Sequence, residues 1–112
     1  NKYNRFLSAH NLAAKKTIIE LNKMRKLKWM YYNGKLTEEE LEKYGWEQFP
    51  FTLKQDLTIY LEGDDDLGKL QAKKLYHEES ASYCAYVMKE LNNRTWQLKE
   101  YMGWEKFIHG AH

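Results

Sequence analysis

Apolar residues recur along the first 32 positions with a helical period, and no Gly or Pro interrupts them. On a 100° wheel Tyr3, Phe6, Leu7, Ala13, Ala14, Leu21, Met24, Tyr31 and Tyr32 form one broad apolar arc. Leu12, Ile19 and Met30 form a narrower stripe roughly opposite. Two seams on one helix predict packing on two sides, once within the chain and once elsewhere. Asn33-Gly34 is a strong stop signal, so the pattern predicts a helix over 1–32, about 45 Å long at 1.5 Å per residue.

Thr37-x-x-Glu40 has the form of a capping box and predicts a short acidic helix that Gly45 ends. Trp46, Phe49, Pro50 and Phe51 make an aromatic turn, and Thr52-x-x-Gln55 is expected to cap a third helix through "LKQDLTIYLE" to Gly63. Asp64, Asp65 and Asp66 then lead a long final helix over 65–108. Acids at a helix N-terminus suit the macrodipole, worth roughly 0.3–1 kcal/mol each. That explanation outweighs a metal site, because no His or further acid stands nearby at ligand spacing. Along this helix Leu67, Leu70, Ala81, Cys84, Met88, Leu91, Leu98 and Met102 follow a 3–4 alternation, interrupted by Lys74, His77 and Thr95. No stretch carries a strand signal of weight. The expected fold is therefore all-α, a single domain over 1–112. Its two long helices, about 1–32 and 65–108, are joined through short connector helices within 37–63.

A length of 112 residues fits one small domain, for which oligomerisation is a natural supplement to a limited core. No apolar run reaches the ~18 residues of a membrane span. The single Cys84 excludes an internal disulfide, suits a reducing cytoplasm, and lies on the apolar seam, which makes it a core residue rather than a nucleophile. His10 lies on the main arc as a core or interface histidine, while His77, His109 and His112 are scattered. No P-loop, G-x-G-x-x-G, H-E-x-x-H or G-x-S-x-G is present. The chain reads as a non-enzyme with no catalytic residues and no cofactor.

Charge changes this picture most. The formal net charge is only +2, but residues 1–35 hold nine Lys/Arg against one acid, Glu20, a balance of +8. Residues 36–112 hold nine against fifteen acids, a balance of −6. The cations concentrate in "KMRKLKWMYYNGKL" at 23–36, interleaved with Trp29, Tyr31 and Tyr32. Single-stranded nucleic acid needs cations along its backbone and flat faces for its bases, and Arg25, Lys26 and Lys28 beside Trp29 supply both. Tyr31 and Tyr32 lie on the apolar arc and are assigned to the core. Only Glu20 is close enough in sequence to pair with the cations. From composition alone, nucleic-acid binding and a solvated basic face awaiting an acidic neighbour stand level. Helical geometry adds a constraint: Lys26 and Lys28 project about 160° apart, so one straight strand cannot cover both. Arg25 and Lys28 share a side, Lys26 groups with Lys15 and Lys23, and Lys28 points into the apolar arc. A surface assembled from several subunits would ease the conflict.

"KLKWMYYNGK" at 26–35, "LKQDLTIYLEGDDDLGKL" at 53–70 and "NNRTWQLKEYMGWEKFIHG" at 92–110 together resemble the UvsY recombination mediators of T-even-type bacteriophages, over nearly the whole chain. The resemblance implies an all-helical protein that assembles into a hexameric or heptameric ring and binds single-stranded DNA. It further implies that the protein weakens the hold of the phage single-strand-binding protein and loads a RecA-like recombinase of the UvsX type. The place of action would be the cytoplasm of the infected bacterial host. The family's Lys-x-Lys/Arg motif falls on Lys26 and Lys28, and charge alone extends the patch to Lys23 and Arg25. The family's assembling C-terminal part falls on Trp96, Leu98, Tyr101, Met102, Trp104, Phe107 and Ile108. The last three stand at i, i+3, i+4 with little chain left to cover them, which favours an interface independently. Relatives carry a segment ahead of the position equivalent to Asn1, so upstream residues are expected. The alternative is a helical oligomeric structural or adaptor protein that binds protein partners only. A duplex-DNA reader would need a compact helix-turn-helix, and none is evident.

Overall fold

A computed structural model describes residues 2–50 and 52–110, with side chains as far as Gly103. It is all-helical among these residues, with long helices α1 (Lys2–Tyr32) and α4 (Asp65–Gly110) and short helices α2 (Glu38–Tyr44) and α3 (Leu57–Glu62) between them. A 3₁₀ turn at Lys54–Asp56 leads into α3.

The helix ends follow local chemistry. At the end of α1, Gly34 takes φ 68°, the Gly34 amide donates to the Tyr31 carbonyl (3.0 Å) and the Lys35 amide to the Met30 carbonyl (2.9 Å). This is a Schellman closure, and glycine enters the left-handed region without a Cβ penalty. α2 closes the same way at Gly45 (φ 71°), with the Trp46 amide donating to the Leu41 carbonyl at 2.9 Å. Its start is a full capping box: the Glu40 amide donates to Thr37 Oγ1 (3.2 Å), and the Thr37 amide to Glu40 Oε1 (3.1 Å).

The expected cap at Thr52 is not formed. The first turn there is 3₁₀, closed by the Asp56 amide on the Leu53 carbonyl at 2.9 Å, and no side chain caps it. The Thr52 hydroxyl instead donates back to the Pro50 carbonyl at 3.4 Å. At the start of α4 one acid of the triple does more than complement the dipole. Asp64 is the cap itself, accepting the Leu67 amide on Oδ1 at 2.9 Å.

The chain divides into two compact units, one of residues 1–12 with 77–112 and the other of residues 13–76. In the second unit the buried apolar residues are Ala14, Leu21, Leu36, Leu41 and Leu67. Thr17, 1% exposed, joins them because its hydroxyl donates to the Ala13 carbonyl at 2.8 Å. In this unit Ile19, from the narrower apolar stripe of α1, is exposed, and in the first unit so is Leu12.

In the first unit Ala81 and Cys84 are buried, as the seam on α4 predicted. His10 and His77 meet there with their Nδ1 atoms 3.0 Å apart, so one ring donates to the other. Beyond residue 90 the seam emerges. Its Leu91, Leu98 and Met102 are exposed, and so are Trp96 and Tyr101 outside the alternation. The 3–4 alternation carries on there without a covering element from the same chain among the described residues.

Candidate nucleic-acid interface

The basic segment occupies the last three turns of α1, and its cations do not act as one patch. Lys23, Arg25 and Lys26 are exposed and form no ion pair among the described residues. Lys28 is 6% exposed. Its position on the apolar arc carries it inward, where its ammonium lies 3.1 Å from Asp64 Oδ2 and 2.7 Å from Asp66 Oδ2. The same ammonium sits 4.1 Å above the centre of the Trp46 ring, a cation–π contact. Glu20 is the one acid near these cations in sequence, but Lys28 finds its partners far along the chain. Its partners arrive from 36 and 38 residues downstream, at the start of α4.

Asp64 is the centre of this network. It caps α4 through Oδ1, while Oδ2 takes the Lys28 ammonium and accepts from the Tyr32 hydroxyl at 2.5 Å. Burial by itself would raise the Asp64 carboxyl. The Tyr32 hydroxyl, the Leu67 amide and the Lys28 ammonium outweigh it and hold the group below the usual carboxylate range. Burial would lower the Lys28 ammonium, and bonds to Asp66 and Asp64 overcome it, so Lys28 lies above its ordinary value. Tyr32 is pushed up by burial, then by its bond to Asp64 and that carboxylate's charge. All three remain in the charge state that makes the network at neutral pH.

The two tyrosines are packing residues, as the apolar arc implied. Tyr31 meets Trp46 (ring centres 5.0 Å) and Phe49 (5.6 Å), and its hydroxyl donates to the Glu47 carbonyl at 2.8 Å. Tyr32 packs edge-on against Phe49 at 4.8 Å and alongside Tyr60 at 5.7 Å. Phe51, assigned to the same turn, lies outside the described residues. Trp29 behaves differently: it is 41% exposed, and the Lys35 ammonium stands 4.6 Å over its ring. Trp29 lies three residues after Lys26, hence on a neighbouring strip of the helix surface.

Lys23 and Lys26 share a groove of about 680 Å³ with Lys69 of α4. Its floor is apolar, made by Met24, Leu27, Met30 and Leu70, with Tyr44 at one side. Arg25 faces elsewhere, lining a smaller hollow of about 310 Å³ beside Leu61 and Glu62. The structure thus unites Lys23 with Lys26, separates Arg25, and encloses Lys28. Lys69 and Tyr44 were not singled out from sequence, and Asp64 was read there only as an acid at the start of a helix. Their relation to α1 is tertiary, and the only local signal was the position of Lys28 on the apolar arc.

Of the residues proposed for assembly, Trp96, Leu98, Tyr101 and Met102 are between 51% and 63% exposed. The side chains of Trp104, Phe107 and Ile108 lie outside the described residues. No helix among the described residues is long and apolar enough to cross a membrane, and no cluster of His, Cys, Asp or Glu there is arranged to hold a metal.

No significant match was found among curated proteins or among solved structures. The family model described as "Recombination, repair and ssDNA binding protein UvsY" matches residues 1–111, and the chain belongs to that family.

Proposed function

We propose that this protein is a recombination mediator. It binds single-stranded DNA, loosens the strand from its single-strand-binding protein, and delivers it to a RecA-like recombinase of the UvsX type in phage recombination and repair. It acts in the cytoplasm of the infected host and needs no cofactor of its own. The observation that carries this reading is that Lys23, Arg25 and Lys26 of α1 are exposed and form no ion pair among the described residues, in a chain whose family binds single strands.

In this reading Lys23, Lys26 and Arg25 take phosphates. Lys28 serves the same surface from within, fixing the end of α1 to the start of α4. The exposed apolar residues of distal α4, with Trp104, Phe107 and Ile108, assemble copies into a hexameric or heptameric ring. Several weakly binding arms on one ring raise one another's effective concentration, so avidity exceeds a single contact by orders of magnitude. Curving the strand over them disfavours the geometry its binding protein holds.

Light scattering on the full chain, with and without oligo-dT, tests the assembly and the binding together. A particle of six or seven chains that takes up oligonucleotide is expected. A monomer, or an oligomer indifferent to oligonucleotide at moderate salt, contradicts the reading, and the second result favours the protein-only adaptor.

A further inference from the structure

The groove between α1 and α4 brings cations and apolar surface together in one place. Its rim carries Lys23, Lys26 and Lys69, and its floor is Met24, Leu27, Met30 and Leu70. Two acids also line it, and both face a cation. Asp66 is held by the Lys28 ammonium at 2.7 Å, and Glu20 lies 3.8 Å from the Lys73 ammonium. The rim therefore keeps a net positive charge although carboxylates are present. Lys28 contributes to this by offsetting one of the two carboxylate charges, Asp64 and Asp66, that it bridges.

We propose that this groove is a nucleobase subsite: the apolar floor receives bases of the bound strand while the rim ammoniums hold the flanking phosphates. The inference rests on the single-strand-binding reading and deepens it. Charge selects the occupant, since a rim of three ammoniums over an apolar floor suits a chain that is anionic outside and apolar-faced within. A nucleobase has two apolar faces in every sequence, so a floor of Met and Leu grips without choosing among bases. Tyr44 at the side, stacked on Trp46 at 4.8 Å, offers an aromatic edge to the same space. The subsite also eases the geometric conflict in the basic segment, because the strand is asked to meet Lys26 and Lys69 rather than Lys26 and Lys28.

The test compares oligo-dT with an abasic oligonucleotide of equal length, which keeps the phosphates and lacks the bases. Fluorescence polarisation with the full chain should show oligo-dT binding at least about fivefold tighter, which is what burying about 40 Å² of apolar base face contributes at roughly 25 cal/mol per Å². Leu27→Gln should bring that ratio towards one with the slope of log K against log salt unchanged. Lys69→Ala, on an exposed side chain, should lower the slope by about 0.7 for each phosphate that its ammonium neutralises. Should Leu27→Gln fail to fold, the oligonucleotide comparison and Lys69→Ala still decide.

Equal binding of the two oligonucleotides, or a Lys69→Ala slope equal to wild type, overturns the subsite and leaves single-strand binding intact. So does a folded Leu27→Gln that keeps the ratio and instead changes the particle mass, which would mean that another copy fills the groove. Binding of neither oligonucleotide removes the underlying reading as well.

Discussion

Replacing Lys28 with Met keeps most of the side-chain volume and removes the ammonium between Asp64 and Asp66. The Asp64 side chain is 3% exposed and would be left as a buried carboxylate supported by the Tyr32 hydroxyl and the Leu67 amide. Breaking a buried pair from one side typically costs about 3–5 kcal/mol. Asp66 is 45% exposed and rehydrates, and Asp64 keeps two donors, so the lower end applies, about 3 kcal/mol. For a domain of this size that lowers Tm by about 12 °C at roughly 4 °C per kcal/mol. The assay is thermal unfolding by circular dichroism at pH 7 and one fixed protein concentration, since assembly makes Tm depend on concentration. Adding Asp64→Asn to Lys28→Met removes the stranded charge and should recover part of the loss, a coupling that two independent sites would not show. A Tm within about 2 °C of wild type at that slope would mean the ammonium is not committed to these acids. Lys28 would then be free to take a phosphate directly, as the family motif implies, and the positioning role assigned to it would fall.

The network also sets a pH window with a definite sign. The Asp64 carboxyl is depressed in the fold, so its contribution is present above the unfolded value of about 4 and is lost as pH falls through the lower folded value. Lys28 and Tyr32 are raised, so their contributions are complete below about 10 and are lost as pH climbs beyond it. Tm should therefore decline at both extremes, and Tyr32→Phe should flatten the alkaline limb; an unchanged alkaline limb would contradict the role given to Tyr32. Thr37→Ala should cost about 1 kcal/mol by removing the capping box, whereas Thr52→Ala should cost nearly nothing, and equal losses would contradict the two helix starts described.

Much of the fold was legible because its signals are local. Asn33-Gly34, Thr37-x-x-Glu40 and Gly45 each set a helix end through atoms within six residues of one another, and the structure forms each as expected. Thr52 misled because the pattern does not fix where the first turn begins: the turn is 3₁₀ with Leu53 at its N-cap, which leaves the Thr52 oxygen one residue too early to accept a helix amide. The candidate site was less legible. A wheel showed that Lys28 points inward but could not show what waits there, because Asp64 and Asp66 reach it only through tertiary packing. The same holds for Lys69, whose place beside Lys26 depends on how α1 and α4 pack. Along distal α4 the seam was visible, but period alone does not say which chain covers it.

The salt dependence of oligo-dT binding, measured side by side for wild type, Lys23→Ala and Lys26→Ala, bears most directly on the claim that exposed cations of α1 clasp a single strand. The account predicts steep weakening with salt and a slope shallower by about 0.7 for each phosphate left without its ammonium. Equal slopes in all three proteins, with melting temperatures unchanged, would contradict it.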